Sequence, residues 1–193
     1  RIDTPARCVR VDEFECAGNI APGAFHAVQQ LLRARRRQPQ QISYEIDPPA
    51  MQRWAAMIFQ AWEKGRFVFI IGNGGSGTTA SHMAEDLGKS TLHERDLKDE
   101  SKKRLKVLSL TDNAGWLMAV GNDLAYDQIF VQQLMNYGSD GAELIAISGS
   151  GNSPNVLNAV DWANRHGLTT FSLTGYSGGK LKHMQSDGLH VEL

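Results

Sequence analysis

Two short stretches of this sequence have the composition to bind an anion. The first is Ile71-Gly72-Asn73-Gly74-Gly75-Ser76-Gly77-Thr78-Thr79, where glycines alternate with small polar side chains. The second, Ser148-Gly149-Ser150-Gly151-Asn152-Ser153-Pro154-Asn155, places three hydroxyls within six residues. Glycine permits positive φ and close backbone approach, and a helix that starts behind such a turn offers unpaired N–H groups. The first turn is not read as a dinucleotide fingerprint, because the strand that follows ends without an acidic residue. It is not a Walker loop, because no Lys-Ser or Lys-Thr follows it. The second turn suits a phosphate monoester held by hydroxyls and amides, without a lysine.

A third group lies just behind the first turn, in Ser81-His82-Met83-Ala84-Glu85-Asp86. Residues four apart share a helix face, so His82 and Asp86 stand together, with Glu85 one position short of that spacing. An imidazole beside a carboxylate suits either a zinc ion or an acid–base pair.

These groups need elements to position them. Arg66–Ile71, Leu105–Leu110, Glu143–Ser148, Leu168–Leu173 and Gly188–Glu192 read as short buried strands. Between them the spacing predicts helices over Gly77–Gly88, Gln128–Tyr137, Pro154–His166 and, shorter, Gly178–Met184. Near-continuous apolar strands alternating with amphipathic helices imply a parallel sheet covered on both faces, an α/β fold. In the doubly wound order 2-1-3-4-5 the first and third strands are neighbours at the switch point, so both turns open into one crevice.

Upstream, Asp47-Pro48-Pro49 opens a helix with the apolar stripe Met51, Trp54, Ala55, Ile58, Phe59 and Trp62, closed by Gly65. Gly23 to Arg37 has helical spacing ending in a basic run, and residues 1–20 form an arm without a sustained period. Residues 21–193 are expected to be a single domain. The segment His93–Lys106 carries both charge signs and is expected to be exposed. His93, His166, His183 and His190 are expected to be solvated or structural. Thr111-Asp112 either caps the next helix or lines the pocket.

Composition narrows the partners. With 20 Lys+Arg against 21 Asp+Glu over 193 residues, the net charge of −1 gives no general attraction to nucleic acid or acidic membranes. No apolar run reaches the ~18–20 residues that span a bilayer. Cys8 and Cys16 match no zinc or redox spacing and are expected to be reduced thiols. The start, lacking Met and any signal pattern, looks trimmed, and a cytoplasmic location is expected.

Four motifs in order carry a specific resemblance: Gly72-Asn-Gly-Gly-Ser76; Gly121-Asn-Asp123; Ile147-Ser-Gly-Ser-Gly-Asn-Ser153 with Asn155-Val156; and Leu173-Thr-Gly175 with Gly178-Gly-Lys180. From about residue 48 to the end, the sequence resembles the sugar isomerase (SIS) domain family, and within it the phosphoheptose isomerase branch. The resemblance implies a five-stranded parallel sheet of flavodoxin-like order. It implies aldose–ketose isomerisation of sedoheptulose 7-phosphate to glycero-manno-heptose 7-phosphate, on the way to heptose units of surface glycoconjugates. Ser148, Ser150 and Ser153 with Gly149, Gly151 and Asn152 would hold the phosphate. Asn73, Gly74, Gly75 and Ser76, with Asn122 and Asp123, would hold the sugar. One zinc per subunit would sit on His82 and Asp86, at the position where the family has a Glu, with Asp86 or Glu85 as base. The family's final helix, bearing a Gln and a His, follows the last strand, where this chain stops, so the acid is expected from a histidine outside it. A homotetramer, else a dimer, is expected. The alternative is a non-catalytic SIS module: a sugar-phosphate sensor or a replication-initiator-associating protein.

Overall fold

A computed structural model describes residues 47–192. The arm over 1–20, the helix expected over 23–37 and both cysteines lie outside them. Five parallel strands form one sheet: β1 (Phe67–Gly72), β2 (Lys106–Ser109), β3 (Glu143–Ser148), β4 (Thr169–Gly175) and β5 (Asp187–Val191). Their order is β2-β1-β3-β4-β5, the doubly wound arrangement expected from the sequence. β1 runs beside β3 with Ile70 opposite Ile145 and Gly72 opposite Ile147. Both strands therefore end at one level, and the turns that follow them leave the sheet side by side.

The alternation of the strand side chains sorts the core into two layers. On one face Val68, Ile70, Ile145, Ile147 and Phe171 pack under α1 (Pro48–Lys64) and α2 (Gly75–Lys89). On the other, Phe69, Ile71, Leu144 and Ala146 pack under α4 (Val131–Tyr137), α5 (Pro154–Arg165) and the short α6 (Leu181–Met184). Every residue of β3 is buried, as a central parallel strand covered on both faces must be.

α1 begins with prolines in its first turn and stops at Gly65, whose φ of 64° is the left-handed conformation of a helix C-cap. Its apolar stripe packs partly within the chain: Trp54 and Ile58 are buried, and Met51, Ala55, Phe59 and Trp62 are half-buried. Trp54 is 2% exposed and stacks on Phe171 with centroids 5.3 Å apart. Trp62 donates its indole N–H to the Lys103 carbonyl at 3.2 Å, beneath the Lys103 ammonium.

Two element boundaries differ from the expectation. The helix expected over Gln128–Tyr137 is a 3-10 turn at Tyr126–Gln128 followed by α4. The apolar stretch Trp116–Val120, together with Asn122 and Asp123, belongs to an unpredicted helix, α3 (Ala114–Asp123), which holds no buried residue. Leu117 and Val120 rest half-buried against the core, but apolar Met118 stands exposed beside them, so α3 carries no clear amphipathic signature in the sequence. The charged segment after α2 is exposed at its centre and holds a single 3-10 turn, Glu94–Asp96.

Candidate active site at the switch point

The first turn leaves β1 at Gly72 and enters α2 through Gly74, whose φ is 53°. A Cβ on Gly72 would lie 2.6 Å from the Ser76 backbone, so the reversal is too tight for any side chain. Thr78 and Thr79 both donate their hydroxyls to the Gly75 carbonyl, at 2.9 and 3.0 Å. The N-terminus of α2 has no side-chain cap and no acidic residue in its first turn. Its amide dipoles are left to act on a ligand.

The second turn folds back on itself. The Ser148 hydroxyl accepts the Gly151 N–H at 3.1 Å, and the Ser150 hydroxyl accepts the Asn152 N–H at 3.3 Å. Each hydroxyl keeps its own proton free to donate. Ser153 occupies the N-cap of α5 without a cap bond from its side chain, and Pro154 takes the first helical position. Gly151 has φ 63°, and a Cβ there would overlap the Gly178 carbonyl oxygen of the turn after β4. The Asn152 side chain accepts the Lys180 N–H at 3.2 Å, and the Leu181 N–H donates to the Gly151 carbonyl at 3.0 Å. The hydroxyl cradle is thus braced from behind by the Gly178–Leu181 turn.

Asn155 and Tyr126, which the sequence did not single out as site residues, join the two turns. Asn73 and Asn155 exchange amide hydrogen bonds at 2.8 Å in both directions. The Tyr126 hydroxyl donates to the Asn73 Oδ1 at 3.3 Å. Asn122 and Asp123 lie upstream of Tyr126 in the exposed last turn of α3, bonded to each other at 2.8 Å. Among the described residues no hydrogen bond ties them to either turn.

His82 and Asp86 do meet: Nε2 of the imidazole lies 3.4 Å from Oδ2 of the carboxylate. Asp86 is buried, its Oδ1 accepts the Ser90 hydroxyl at 3.3 Å, and its Oδ2 has no hydrogen-bond partner. Glu85 completes a cluster whose potential ligand atoms all lie within 4.8 Å of one another. It is exposed, however, and holds Lys89 at 2.6 Å, which keeps its carboxyl below the usual range. The cluster sits two to three helical turns along α2, about 10–16 Å of axis from Gly75.

Asp112 is not a helix cap, since α3 has no side-chain cap; its carboxylate accepts a short hydrogen bond from Ser81, one residue before His82. Ser109 and Thr111 share a hydrogen bond at 2.5 Å beside it. His190 bonds Thr174 at 3.0 Å, and His166 stacks on Trp162, both within the scaffold.

The comparisons with known proteins agree with this geometry. The SIS domain family matches residues 40–175. A phosphoheptose isomerase of Rhodospirillum rubrum is 39% identical over 133 residues, 69% of this chain and 67% of the relative. One of Pelobacter propionicus is 33% identical over 153 residues, 79% of this chain and 77% of the relative. Among solved structures, a phosphoheptose isomerase from Francisella tularensis superposes with a TM-score of 0.66 at 27% identity, covering 94% of this chain and 84% of that one. The fold, the order of its turns and these relatives together make the chain a member of the SIS domain family.

Proposed function

We infer that this protein is a phosphoheptose isomerase, a sugar-phosphate isomerase acting on sedoheptulose 7-phosphate. The observation that carries the reading is the meeting of two uncapped glycine- and serine-rich turns at the β1–β3 switch point, tied through Asn73 and Asn155. Ser148, Ser150 and Ser153, with the Gly149 and Gly151 backbone and Asn152 behind them, hold the phosphate. Asn73, Gly74, Gly75 and Ser76 face the sugar, with Asn122 and Asp123 assigned to its far hydroxyls.

Aldose–ketose isomerisation moves a proton between C1 and C2, so it needs a base and a stabilised enediol charge. Asp86 is the base in this reading, because it is the buried carboxylate beside the imidazole, whereas Glu85 is committed to Lys89. An unpartnered buried carboxylate oxygen beside an imidazole nitrogen is also a donor set that fits zinc. His82 and Asp86 would hold the ion, one per subunit, and a bound zinc would polarise the sugar oxygens. A homotetramer, else a dimer, in the cytoplasm, serving heptose synthesis, goes with this reading.

The test is turnover of sedoheptulose 7-phosphate by the purified chain, with zinc added and after chelation. Aldose formation that rises with zinc is the expected result. Binding without turnover would instead make the chain a sugar-phosphate-binding module. Absence of both binding and turnover would remove the reading.

A further inference from the structure

We propose that Asn155 is a positioning residue that locks the Asn73 amide as a hydrogen-bond donor toward the crevice, so that the ligand atom met by Asn73 must be an acceptor. The inference rests on the phosphoheptose reading for its ligand and on the two turns for its geometry.

The lock starts from the backbone. The Val156 N–H, shared with the Ser153 carbonyl, reaches Asn155 Oδ1 at 3.0 Å. A backbone N–H can only donate, so the oxygen of the Asn155 amide must face it. The amide is thereby oriented, and with 1% of the residue exposed it is sealed from water. Its Nδ2 then faces Asn73 Oδ1, and its Oδ1 receives Asn73 Nδ2, both at 2.8 Å. Turning the Asn73 amide over would set oxygen against oxygen and N–H against N–H. Tyr126 adds a second donor to Asn73 Oδ1 at 3.3 Å.

The polarity of Asn73 follows. Both lone-pair directions of its oxygen are used, by Asn155 and Tyr126. Of its two N–H bonds one goes to Asn155, and the other has no protein partner among the described residues. Asn73 therefore has a donor and no acceptor left for a ligand. A sugar oxygen that carries developing negative charge, such as that of an enediolate, is the partner this polarity favours over a hydroxyl acting as donor.

Two measurements on the full chain test this. The first needs no ligand: in the ¹⁵N spectrum the Asn73 side-chain N–H pair should be widely split, with one proton protected from exchange, and Asn155→Ala should collapse both properties. The second is a double-mutant cycle read as the dissociation constant for sedoheptulose 7-phosphate. A residue acting only through its neighbour contributes nothing once the neighbour is gone. Asn155→Ala should weaken binding about tenfold and Asn73→Ala at least as much, with the double variant within about twofold of Asn73→Ala. Tyr126→Phe, at an exposed position, should cost a few-fold in the native background and nothing beside Asn73→Ala; it keeps the cycle usable if Asn155→Ala does not fold. Additive losses, or an unaltered Asn73 resonance pair in Asn155→Ala, would overturn the lock. Failure of the unaltered protein to bind the sugar phosphate would remove the functional reading, while the resonance measurement would still decide the lock.

Discussion

At residue scale the two neighbouring carboxylates of α2 differ in surroundings more than in chemistry. Asp86 is buried with one free oxygen, whereas Glu85 is exposed and neutralised by Lys89. Asp86→Asn should therefore lower turnover by at least ~10², the usual scale for losing a general base, while Glu85→Gln stays within a few-fold. Asp86→Glu should raise activity if the shorter arm holds the oxygen back from the substrate. Comparable small effects from all three substitutions would remove these carboxylates from the mechanism. The hydroxyl cradle gives a separate test. Ser148→Ala combined with Ser150→Ala should abolish calorimetric binding of phosphorylated sugars with the thermal transition retained, because neither hydroxyl holds the sheet together. Undiminished binding by a folded double variant would take the phosphate elsewhere.

At the scale of elements, α1 is fastened to the sheet in two unequal ways. Trp54 stacks inside the core on Phe171, and Arg53 reaches Asp187 of β5 through a paired guanidinium–carboxylate contact at 2.5 and 3.0 Å. Removing a large buried aromatic typically costs about 3–5 kcal/mol, so Trp54→Ala should lower the denaturant midpoint sharply. Arg53→Ala should do far less, since its partner sits at a solvated edge where water replaces much of the interaction. Gly151 is the equivalent point in the second turn. Its left-handed backbone and the Gly178 carbonyl leave no room for a methyl, so Gly151→Ala should separate the β3 and β4 turns. Sugar-phosphate affinity should fall together with melting temperature.

Over the whole molecule, the end of the sheet away from the site holds a buried carboxyl group. Glu143, at the start of β3, is 5% exposed; burial raises its pKa to about 8, against the lowering effect of Arg66 and Lys64. The folded chain thus keeps a proton that the unfolded chain releases near the ordinary value of 4.5. Its contribution is complete below that value and is lost as pH rises toward 8, with a slope of at most about 1.4 kcal/mol per pH unit. Urea midpoints followed across this window should fall less steeply for Glu143→Gln than for the native chain. Equal slopes would show that Glu143 ionises freely. Association is the other property at this scale. Met118, Leu124 and Met135 are more than half exposed, at 70%, 61% and 54%, so the face around α3 and α4 also offers apolar surface to another subunit. Light scattering should give a tetramer or dimer, and a monomer at tens of micromolar (roughly, above typical dissociation constants) would refute the assembly.

What the sequence determined by itself was whatever local pattern encodes. The alternation of apolar runs with amphipathic stretches specified a parallel sheet, and the composition of the two turns marked where an anion would bind. Spacing alone brought His82 and Asp86 onto one face, because residues four apart on a helix are neighbours by geometry. The helix α3 is not legible because its apolar residues face solvent as well as the core, which leaves no clear periodic signal. Tertiary structure alone decided that Asp86 is buried and Glu85 exposed, since the spacing to His82 sets a shared face but not what packs against it. It also decided that Asn155, 82 positions from Asn73, and Tyr126, 53 positions away, would close on it. Those contacts exist only because β1 and β3 are neighbours in the sheet while a whole strand and three helices separate them along the chain. A one-dimensional pattern records what repeats nearby, whereas this pairing is made by the fold.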